Sequence, residues 1–191
     1  MLRARIEREE ALSTYDVQKS GFGLVTLHRP ANVDVKDTII RLCRTLIKLC
    51  QMLPLVFPVH PRTRKNLEKQ GLLEDLRKAP GLQMVEPIGY VRFMNLLFNC
   101  RMVITDSGGI QEESTYLGIP CLTLRPNTER PITITQGTNR LCTVNDLEAW
   151  VKEILAAEAT TARKPELWDG RTAERVCKSI QRRLGVYRTG S

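Results

Sequence analysis

The sequence predicts an α/β fold, a doubly wound parallel sheet with helices on both faces. Short apolar runs alternate along the 191-residue chain with longer stretches whose apolar residues recur at helical spacing. The apolar runs are continuous rather than interrupted by polar residues, which is typical of strands buried on both faces of a parallel sheet. Polar residues follow these runs, at the edge where such sheets bind ligands.

Each apolar run is bounded by turn signals, and these give the strands in chain order. The second strand follows Pro54, and the fifth begins at Pro120. A sixth, very short strand is predicted just before Val144. The predicted strands span residues 21–27 (a turn and then a strand), 55–59, 82–85, 102–105, 120–124 and 141–143.

The amphipathic stretches between the strands predict the helices. The longest has Asp34 or Asp37 as its expected cap, and Asn145 is expected to cap a later one. Gly71 and Gly118 are expected to end two helices, because glycine is favoured just past a helix carboxyl end. The predicted helices span residues 37–52, 63–70, 72–78, 90–99, 110–117, 145 to about 157, and 173–184.

The chain divides into two parts of unequal size. Residues 1–20 carry mixed charge and are predicted to be a solvated helix or a frayed, charged tail. Residues 21–191 are predicted to be one domain, because the chain is long enough for a single proper core and has an ordinary 42% of apolar residues.

Composition excludes several classes of protein. The net charge of +8 indicates a solvated basic surface or an anionic small substrate, and no basic run is interleaved with aromatics as in nucleic-acid binding. No apolar segment approaches the ~20 residues of a membrane span, and no signal peptide is visible. None of the six cysteines forms a C-x-x-C pair, so most read as small core residues in a reduced, cytoplasmic protein.

Polar residues crowd the predicted carboxyl ends of the strands. Both histidines of the chain, His28 and His60, are among them. Because the carboxyl ends of parallel strands share one edge of the sheet, this coincidence predicts a ligand site at that edge. The stretches that follow the first five strands are 28–32, 60–64, 86–90, 107–109 and 125–131.

The stretch Ser107-Gly108-Gly109 is predicted to be a tight turn that joins the fourth strand to a helix. Free N–H groups and the dipole at a helix start favour an anion, and glycines let it approach the backbone. A phosphate or pyrophosphate is the expected ligand, and a plain strand–helix turn is the alternative. The stretch is neither a Walker A loop nor G-x-G-x-x-G, which disfavours ATP and dinucleotides.

Several charged side chains near this stretch each have two interpretations. Glu113 either accepts hydrogen bonds from ribose hydroxyls or is an acid that stabilises the helix dipole. His28 and Arg29 either contact a diphosphate, or protonate a leaving oxygen, or are structural. Arg130 either clamps a charged group or pairs with Glu129 to hold its loop.

Other chemistries are less well supported. His60 and Arg62 either do similar work to His28 or line a separate anion pocket. No metal is expected, because the two histidines lie on different loops and carboxylates do not cluster. A Ser-His-Asp triad of Ser107, His28 and Asp106 is disfavoured, since adjacent Ser and Asp cannot both flank one His in the required order.

Five short strings occur along the chain in a characteristic order. They are Thr26-Leu27-His28-Arg29, Pro58-Val59-His60-Pro61, Thr105-Asp106-Ser107-Gly108-Gly109-Ile110-Gln111-Glu112-Glu113, Thr128-Glu129-Arg130-Pro131 and Gly137-Thr138-Asn139. Together they resemble the non-hydrolysing UDP-N-acetylglucosamine 2-epimerases. The resemblance covers about residues 20–185, where 168–173 is similar to the family's closing Gly-Asp-Gly-x-Ala region.

The resemblance implies a GT-B-type fold, in which two Rossmann-like domains enclose the active site in a cleft. This chain would be the carboxy-terminal, UDP-binding domain, with residues 1–20 as a hinge remnant. Its partners would be UDP or a UDP-N-acetylhexosamine, and a missing amino-terminal half or further copies of the chain.

The resemblance also implies roles for nine residues. Ser107, Gly108 and Gly109 would bind the diphosphate, Glu113 would hold the ribose, and Phe93 would lie beside the uracil. The catalytic His28 and Arg130 would face the diphosphate and the sugar. Arg29 and His60 match positions near a regulatory UDP-N-acetylglucosamine site of some bacterial members.

The implied reaction is an elimination followed by a re-addition. UDP leaves C1 as the C2 proton is taken, which gives a 2-acetamidoglucal, and UDP adds back after reprotonation on the other face. The product is UDP-N-acetylmannosamine, used in cell-surface polysaccharide biosynthesis, and no cofactor is required. Preorganised N–H groups and cationic side chains would stabilise the leaving group.

Two departures from the family pattern bear on these expectations. Pro30 and Ala31 occupy the middle of a string that is usually His-Arg-Arg-Glu-Asn. This departure leaves open whether the chain keeps the polar contact made there and whether it has allosteric control. The family's acid–base carboxylates lie in the amino-terminal domain, so the chain alone is expected to be nearly inactive. The alternatives are a UDP or UDP-sugar binding module that pairs with a separate chain, and half of a GT-B glycosyltransferase.

Overall fold

The computed structural model describes residues 2–157 and 164–184. Its strands are β1 (Gly23–Thr26), β2 (Leu55–Pro58), β3 (Leu82–Val85), β4 (Met102–Thr105), β5 (Cys121–Leu124) and β6 (Asn139–Cys142). They form one parallel sheet in the order β3-β2-β1-β4-β5-β6. The predicted α/β, Rossmann-like fold is confirmed.

Helices connect the strands and cover both faces of the sheet. They are α1 (Leu2–Glu7), α2 (Ala11–Thr14), α3 (Pro30–Val33), α4 (Lys36–Leu49), α5 (Pro61–Lys69), α6 (Leu73–Lys78), α7 (Tyr90–Asn99), α8 (Gly108–Leu117), α9 (Ile132–Thr135), α10 (Leu147–Ala156) and α11 (Thr172–Arg183). In the described part of the chain, no helix has the length and apolar character that crossing a membrane requires. The predicted domain also includes residues 158–163 and 185–191, which lie outside the described residues.

Alternation along the strands divides the apolar residues between two cores. In β1, Val25 belongs to the core that includes α4, whereas Leu24 belongs to the core that includes α7. Phe57 and Val56 of β2 divide in the same way. Because both faces are covered, β2, β4 and β5 are buried along their whole length, which explains their uninterrupted apolar runs.

Predicted and observed elements agree best where the apolar pattern is strong. β3, β4 and α7 have the predicted bounds. β6 begins two residues earlier than predicted, because Asn139 is buried and its amide is hydrogen-bonded to Thr123 and Thr133. The four-residue helices α3 and α9 were not predicted, since they are too short to show a helical period.

The predicted caps of α4 are wrong. Val35 stands at the amino end of this helix, and no side chain of the described residues caps it. Asp37 lies inside the first turn, where its charge still suits the helix dipole. Asp34 instead accepts hydrogen bonds from the side chains of Arg62 and Asn66, and Arg62 lowers the pKa of its carboxyl.

Two helix ends follow the prediction and one helix start does not. Gly71 and Gly118 both have the positive φ angles, 68° and 76°, that favour glycine beyond a helix. Asp146, rather than the predicted Asn145, precedes α10. Its carboxylate accepts hydrogen bonds from the backbone N–H and hydroxyl of Thr143, so it holds the loop before the helix.

The first residues of the chain are less solvated than predicted. Most of their charged side chains are exposed, but Ile6 and Ala11 are buried in the same core as α7, and Glu9 is partly buried. The side-chain amide of Asn95 on α7 donates to the Ile6 carbonyl at 2.8 Å, and Arg92 pairs with Glu9. Leu12, Tyr15 and Val17 also pack against this core, so the segment is attached to the rest of the fold although its charge pattern predicted a solvated helix or a frayed tail.

Five of the six cysteines are core residues, as predicted. Burial raises the pKa of the Cys43 thiol to about 12 and that of Cys121 to about 11, so neither is a reactive thiolate. Cys177 on α11 is the exposed exception. The buried cysteines are Cys43, Cys50, Cys100, Cys121 and Cys142.

Candidate functional site

The strand order places a crevice at the middle of the sheet. The chain winds one way from β1 to β3 and the other way from β4 to β6, so the order reverses between the neighbours β1 and β4. Thr26, the last residue of β1, pairs with Thr105, the last residue of β4. The loops that follow these two strands therefore face each other at the switch point, where doubly wound sheets bind ligands.

Gly108 and Gly109 are the first two residues of α8 rather than a turn before it, which corrects the prediction for this stretch. Neither has a positive φ angle, and a Cβ atom added to either would meet nothing within 4 Å. Gly137 differs, because a Cβ there would collide with the Thr133 carbonyl and the Thr115 side chain. The fold therefore does not require glycine at 108 or 109, and the space before the helix is open.

The amino end of α8 is arranged to receive an anion. Ser107 stands at the N-cap position, but no side chain of the described residues caps the helix. The backbone N–H of Ser107 donates to the Thr105 hydroxyl at 3.0 Å, which fixes the approach to the helix. The N–H groups of the first turn have no partner within a helix, and the helix dipole adds partial positive charge.

Asp106 joins the two sides of the crevice, and sequence reasoning missed it. Its carboxylate is completely buried and accepts hydrogen bonds from the backbone N–H groups of His28 and Arg29 and from the amide of Asn32. The Asn32 amide also donates to the Leu124 carbonyl, which ties in β5. The available signal was a carboxylate placed directly after a fully apolar strand, since buried carboxylates need partners.

His28 lies beside this carboxylate, with Nδ1 3.1 Å from Oδ1 of Asp106 and its side chain 40% exposed. Its ring centroid is 5.6 Å from that of His60, so the structure brings together two residues assigned to different sites. His60 caps α5, because its Nδ1 accepts a hydrogen bond from the backbone N–H of Arg62. Arg29 donates from Nε to the Asp106 carbonyl at 2.9 Å.

Glu113 is half-buried on α8, one turn after the glycines. The Tyr90 hydroxyl donates to its Oε1 at 2.9 Å. Burial raises the pKa of the Glu113 carboxyl, although the bond from Tyr90 acts in the opposite direction. A partly desolvated carboxylate with one oxygen engaged keeps further acceptor capacity for a hydroxyl donor.

Arg130 does not form the structural ion pair that was its alternative interpretation. Glu129 pairs with Arg125 at 2.6 and 2.9 Å, and this contact lowers the pKa of Glu129 to about 2. The Arg130 guanidinium lies instead with Nε 3.0 Å from Oε2 of Glu112, where both side chains are 43% exposed. Exposed pairs of this kind are weak, so Arg130 is available to a ligand.

Phe93 lies half-buried on α7 and packs against the core that includes α1 and α2. Its backbone N–H donates to the Gly89 carbonyl at the start of the helix. Among the described residues, no three His, Cys, Asp or Glu side chains are grouped closely enough to hold a metal ion. The groups present around the crevice are the N–H groups at the start of α8, cationic side chains, two imidazoles and the Glu113 carboxylate.

Two curated proteins similar to this chain are both named as 2-epimerases of UDP-sugars. The chain matches the family "UDP-N-acetylglucosamine 2-epimerase" over residues 1–181. It is 36% identical to UDP-N-acetylglucosamine 2-epimerase of Methanocaldococcus jannaschii over 161 residues. This match covers 82% of this chain and 43% of that protein. It is 37% identical to UDP-2,3-diacetamido-2,3-dideoxy-D-glucuronate 2-epimerase of Pseudomonas aeruginosa over 124 residues. This match covers 64% of this chain and 33% of that protein.

The fold is also similar to a solved structure. The crystal structure of M. jannaschii UDP-GlcNAc 2-epimerase in complex with UDP-GlcNAc and UDP superposes with a TM-score of 0.81 and 31% sequence identity. The match covers 95% of this chain and 51% of the other. This chain therefore spans about half the length of the relatives that it matches.

Proposed function

The chain belongs to the UDP-N-acetylglucosamine 2-epimerase family, and on that premise we propose that it is the UDP-binding half of such an enzyme. The whole enzyme would interconvert UDP-N-acetylglucosamine and UDP-N-acetylmannosamine. The epimerase of P. aeruginosa named above acts on a different UDP-sugar, so the proposal is stronger for UDP than for the sugar.

One observation carries the proposal. Gly108 and Gly109 open a ten-residue helix at the switch point, yet neither backbone conformation nor packing requires glycine there. Glycines without a folding requirement, beside unpaired N–H groups, are explained by a ligand that approaches the backbone closely. A diphosphate fits that description, since it carries the charge that the helix end favours.

The other assignments are those that the family resemblance implies. Ser107 would add its hydroxyl to the diphosphate site, and Arg130 would leave Glu112 for the diphosphate and sugar. Glu113 would accept hydrogen bonds from the ribose, with the uracil against Phe93. His28 would act at the diphosphate, and its neighbour His60, with Arg29, would belong to the possible regulatory site.

In the proposed reaction this half stabilises the leaving group. The C2 proton is taken, the C1–O bond breaks, and its electron pair leaves with UDP. The α8 N–H groups, Arg130 and the His28 imidazole would offset the charge that develops on the diphosphate. Asp106 lies beside that imidazole, with its Oδ1 3.1 Å from Nδ1 of His28. The groups that move the C2 proton would belong to the part of the relatives that this chain does not span.

The domain boundaries and partner are part of the same proposal. Residues 21–191 would form the UDP-binding domain, and residues 1–20 the hinge toward an amino-terminal half. Val176, Ile180 and Leu184 form an exposed apolar stripe on α11, which would pack against that half, whether it is in the same chain or a separate one. The free thiols fit a cytoplasmic, reducing setting.

Titration calorimetry of the 191-residue chain with UDP, UDP-N-acetylglucosamine and NAD tests the proposal. We expect weak binding of UDP and no binding of NAD, since the dinucleotide fingerprint is absent from the sequence. Absence of both heat and thermal shift with millimolar UDP would contradict the nucleotide assignment. NMR detection of C2 proton exchange in UDP-N-acetylglucosamine tests catalysis separately, and we expect almost none from this chain alone.

A further inference from the structure

We infer that Gln111 and Asn139 are positioning residues, which hold the backbone of Arg130 at a set place relative to the amino end of α8. The inference rests on the proposed function, because it concerns how two parts of the diphosphate site are kept together. Neither residue is proposed to touch the ligand. The Gln111 side chain contacts the Ser107 backbone at the start of α8, and both residues act on Arg130 through the loop that carries it.

Gln111 links the two parts. It is completely buried on α8, and its Nε2 donates to the Ser107 carbonyl at 3.2 Å, at the start of the helix. Its Oε1 accepts from the Thr128 hydroxyl at 2.5 Å and from Nδ2 of Asn139 at 3.1 Å. One side chain is therefore bonded to the helix start, to the loop and to β6.

Both backbone polar groups of Arg130 are attached to this network. Its N–H donates to the Thr128 hydroxyl at 3.0 Å, and its carbonyl accepts from the Thr133 hydroxyl at 2.7 Å. Thr128 then donates to Gln111, while Thr133 accepts from Asn139 at 3.0 Å. The Thr128 hydroxyl therefore links the Gln111 amide to the Arg130 N–H, and the Thr133 hydroxyl links the Asn139 amide to the Arg130 carbonyl.

The directions of these bonds permit one arrangement of the amides. The Ser107 carbonyl can only accept, so the NH₂ group of Gln111 must face it, and the Gln111 oxygen faces Asn139. The NH₂ group of Asn139 must therefore face Gln111 and Thr133, which leaves its Oδ1 to accept from the Thr123 hydroxyl at 2.6 Å. Buried polar networks that are fully paired are rigid, since every alternative leaves a group without a partner.

A rigid backbone at Arg130 matters because its guanidinium is held only by an exposed contact. The side chain is 43% exposed, and its contact with Glu112 is one that an anion can displace. With both backbone groups held, the guanidinium stays within reach of the α8 N–H groups. An anion can then be bound by both at once, without first ordering the loop.

The test compares Gln111→Met with Asn95→Leu in the 191-residue chain. Both substitutions remove a buried amide, and Asn95 lies on α7, where it donates to the Ile6 carbonyl. We expect both to lower the unfolding temperature, and only Gln111→Met to weaken UDP binding, by about tenfold. Equal losses of affinity in the two variants would overturn the inference, because they would reflect general destabilisation.

A double-mutant cycle with Arg130→Ala shows whether Gln111 acts through Arg130. We expect Gln111→Met to change the UDP dissociation constant by less than about twofold once the guanidinium is gone. Equal effects of Gln111→Met with and without Arg130 would overturn the inference. Failure of the unmodified chain to bind UDP would instead overturn the proposed function.

Amide exchange in the free chain gives a readout that needs no ligand. Gln111→Met should speed exchange of the Arg130 N–H by at least about tenfold relative to Asn95→Leu, because its acceptor Thr128 loses its own partner. Unchanged protection of that N–H in Gln111→Met would show that the loop does not depend on Gln111.

Discussion

Asp106 shows why parts of the site were not predictable at the scale of single residues. Its position after an apolar strand was visible, but its partners are 74 to 78 residues away in sequence. The same limit hid Gln111 and Asn139, whose partners are set by the packing of β5, β6 and α9. Local patterns indicate which residues lie at the edge of a sheet, whereas the direction of a side chain there depends on tertiary neighbours.

Glu113 leads to a prediction about pH and about the ribose. Burial raises its pKa above the ordinary 4.5, so the carboxylate is lost at a higher pH than in an exposed glutamate. We expect UDP affinity to fall as the pH is lowered through that raised pKa, because protonation removes an acceptor for the ribose hydroxyl. Calorimetry across this range measures the effect, and Glu113→Gln should lack this component of the pH dependence.

The same residue allows a control within the ligand. Glu113→Ala should weaken UDP by about tenfold, as expected for a hydrogen bond to a charged group, and dUDP by less, since dUDP lacks the 2′-hydroxyl. Equal losses for the two nucleotides would count against a ribose role for Glu113.

At the scale of elements, substitutions at the start of α8 should affect UDP binding and folding stability differently. Gly108→Ala and Gly109→Ala should each leave stability unchanged or raise it by about 0.5–1 kcal/mol, because alanine favours helix and its Cβ meets no neighbour. The same methyl group should weaken UDP at least about tenfold, since it occupies the space through which the diphosphate approaches. Chemical denaturation and calorimetry on the same samples measure the two effects.

Gly118→Ala is the matched control for these variants. Gly118 ends the same helix with φ 76°, so alanine there should lower stability by about 1 kcal/mol and leave UDP affinity unchanged. A loss of stability at 108 or 109 as large as at 118 would support the alternative of a plain structural turn.

The elements themselves were largely predictable, for an identifiable reason. The run Met102–Thr105 is buried throughout and is apolar up to its final threonine, and that pattern depends on burial of both faces. Asn139 belongs to a strand because of hydrogen bonds to residues elsewhere in the chain, and the predicted cap Asp34 of α4 bonds instead to Arg62, 28 residues away. Before α10, the Asp146 carboxylate bonds to Thr143, three residues earlier, and does not cap the helix. The apolar pattern of the sequence therefore predicted which helices and strands form. The hydrogen bonds of the residues at their ends decided where they begin.

At the scale of the whole molecule, α11 marks where the packed unit stops. None of its residues is buried in the described part of the chain, although Val176, Ile180 and Leu184 form an apolar stripe. Ile180→Ala should change the free energy of unfolding by less than about 0.5 kcal/mol, as expected for a surface position. Ile39→Ala, the same change at a residue that is 1% exposed, should cost about 2–5 kcal/mol.

Urea denaturation of the two variants gives both free energies. A cost above about 2 kcal/mol for Ile180→Ala would mean that α11 is packed into this unit, and the stripe would then not be a surface for another half. A small cost agrees with the proposal that the stripe is a surface for an amino-terminal half.

The adjacency of β1 and β4 has a kinetic consequence. His28 and Asp106 are 78 residues apart, and everything between them must fold back before the carboxylate receives its donors. During synthesis the emerging chain would have no crevice until β4 had left the ribosome and paired. Nucleotide would therefore meet only molecules whose central strands have already joined, so it should prolong the lifetime of the native state without hastening its formation.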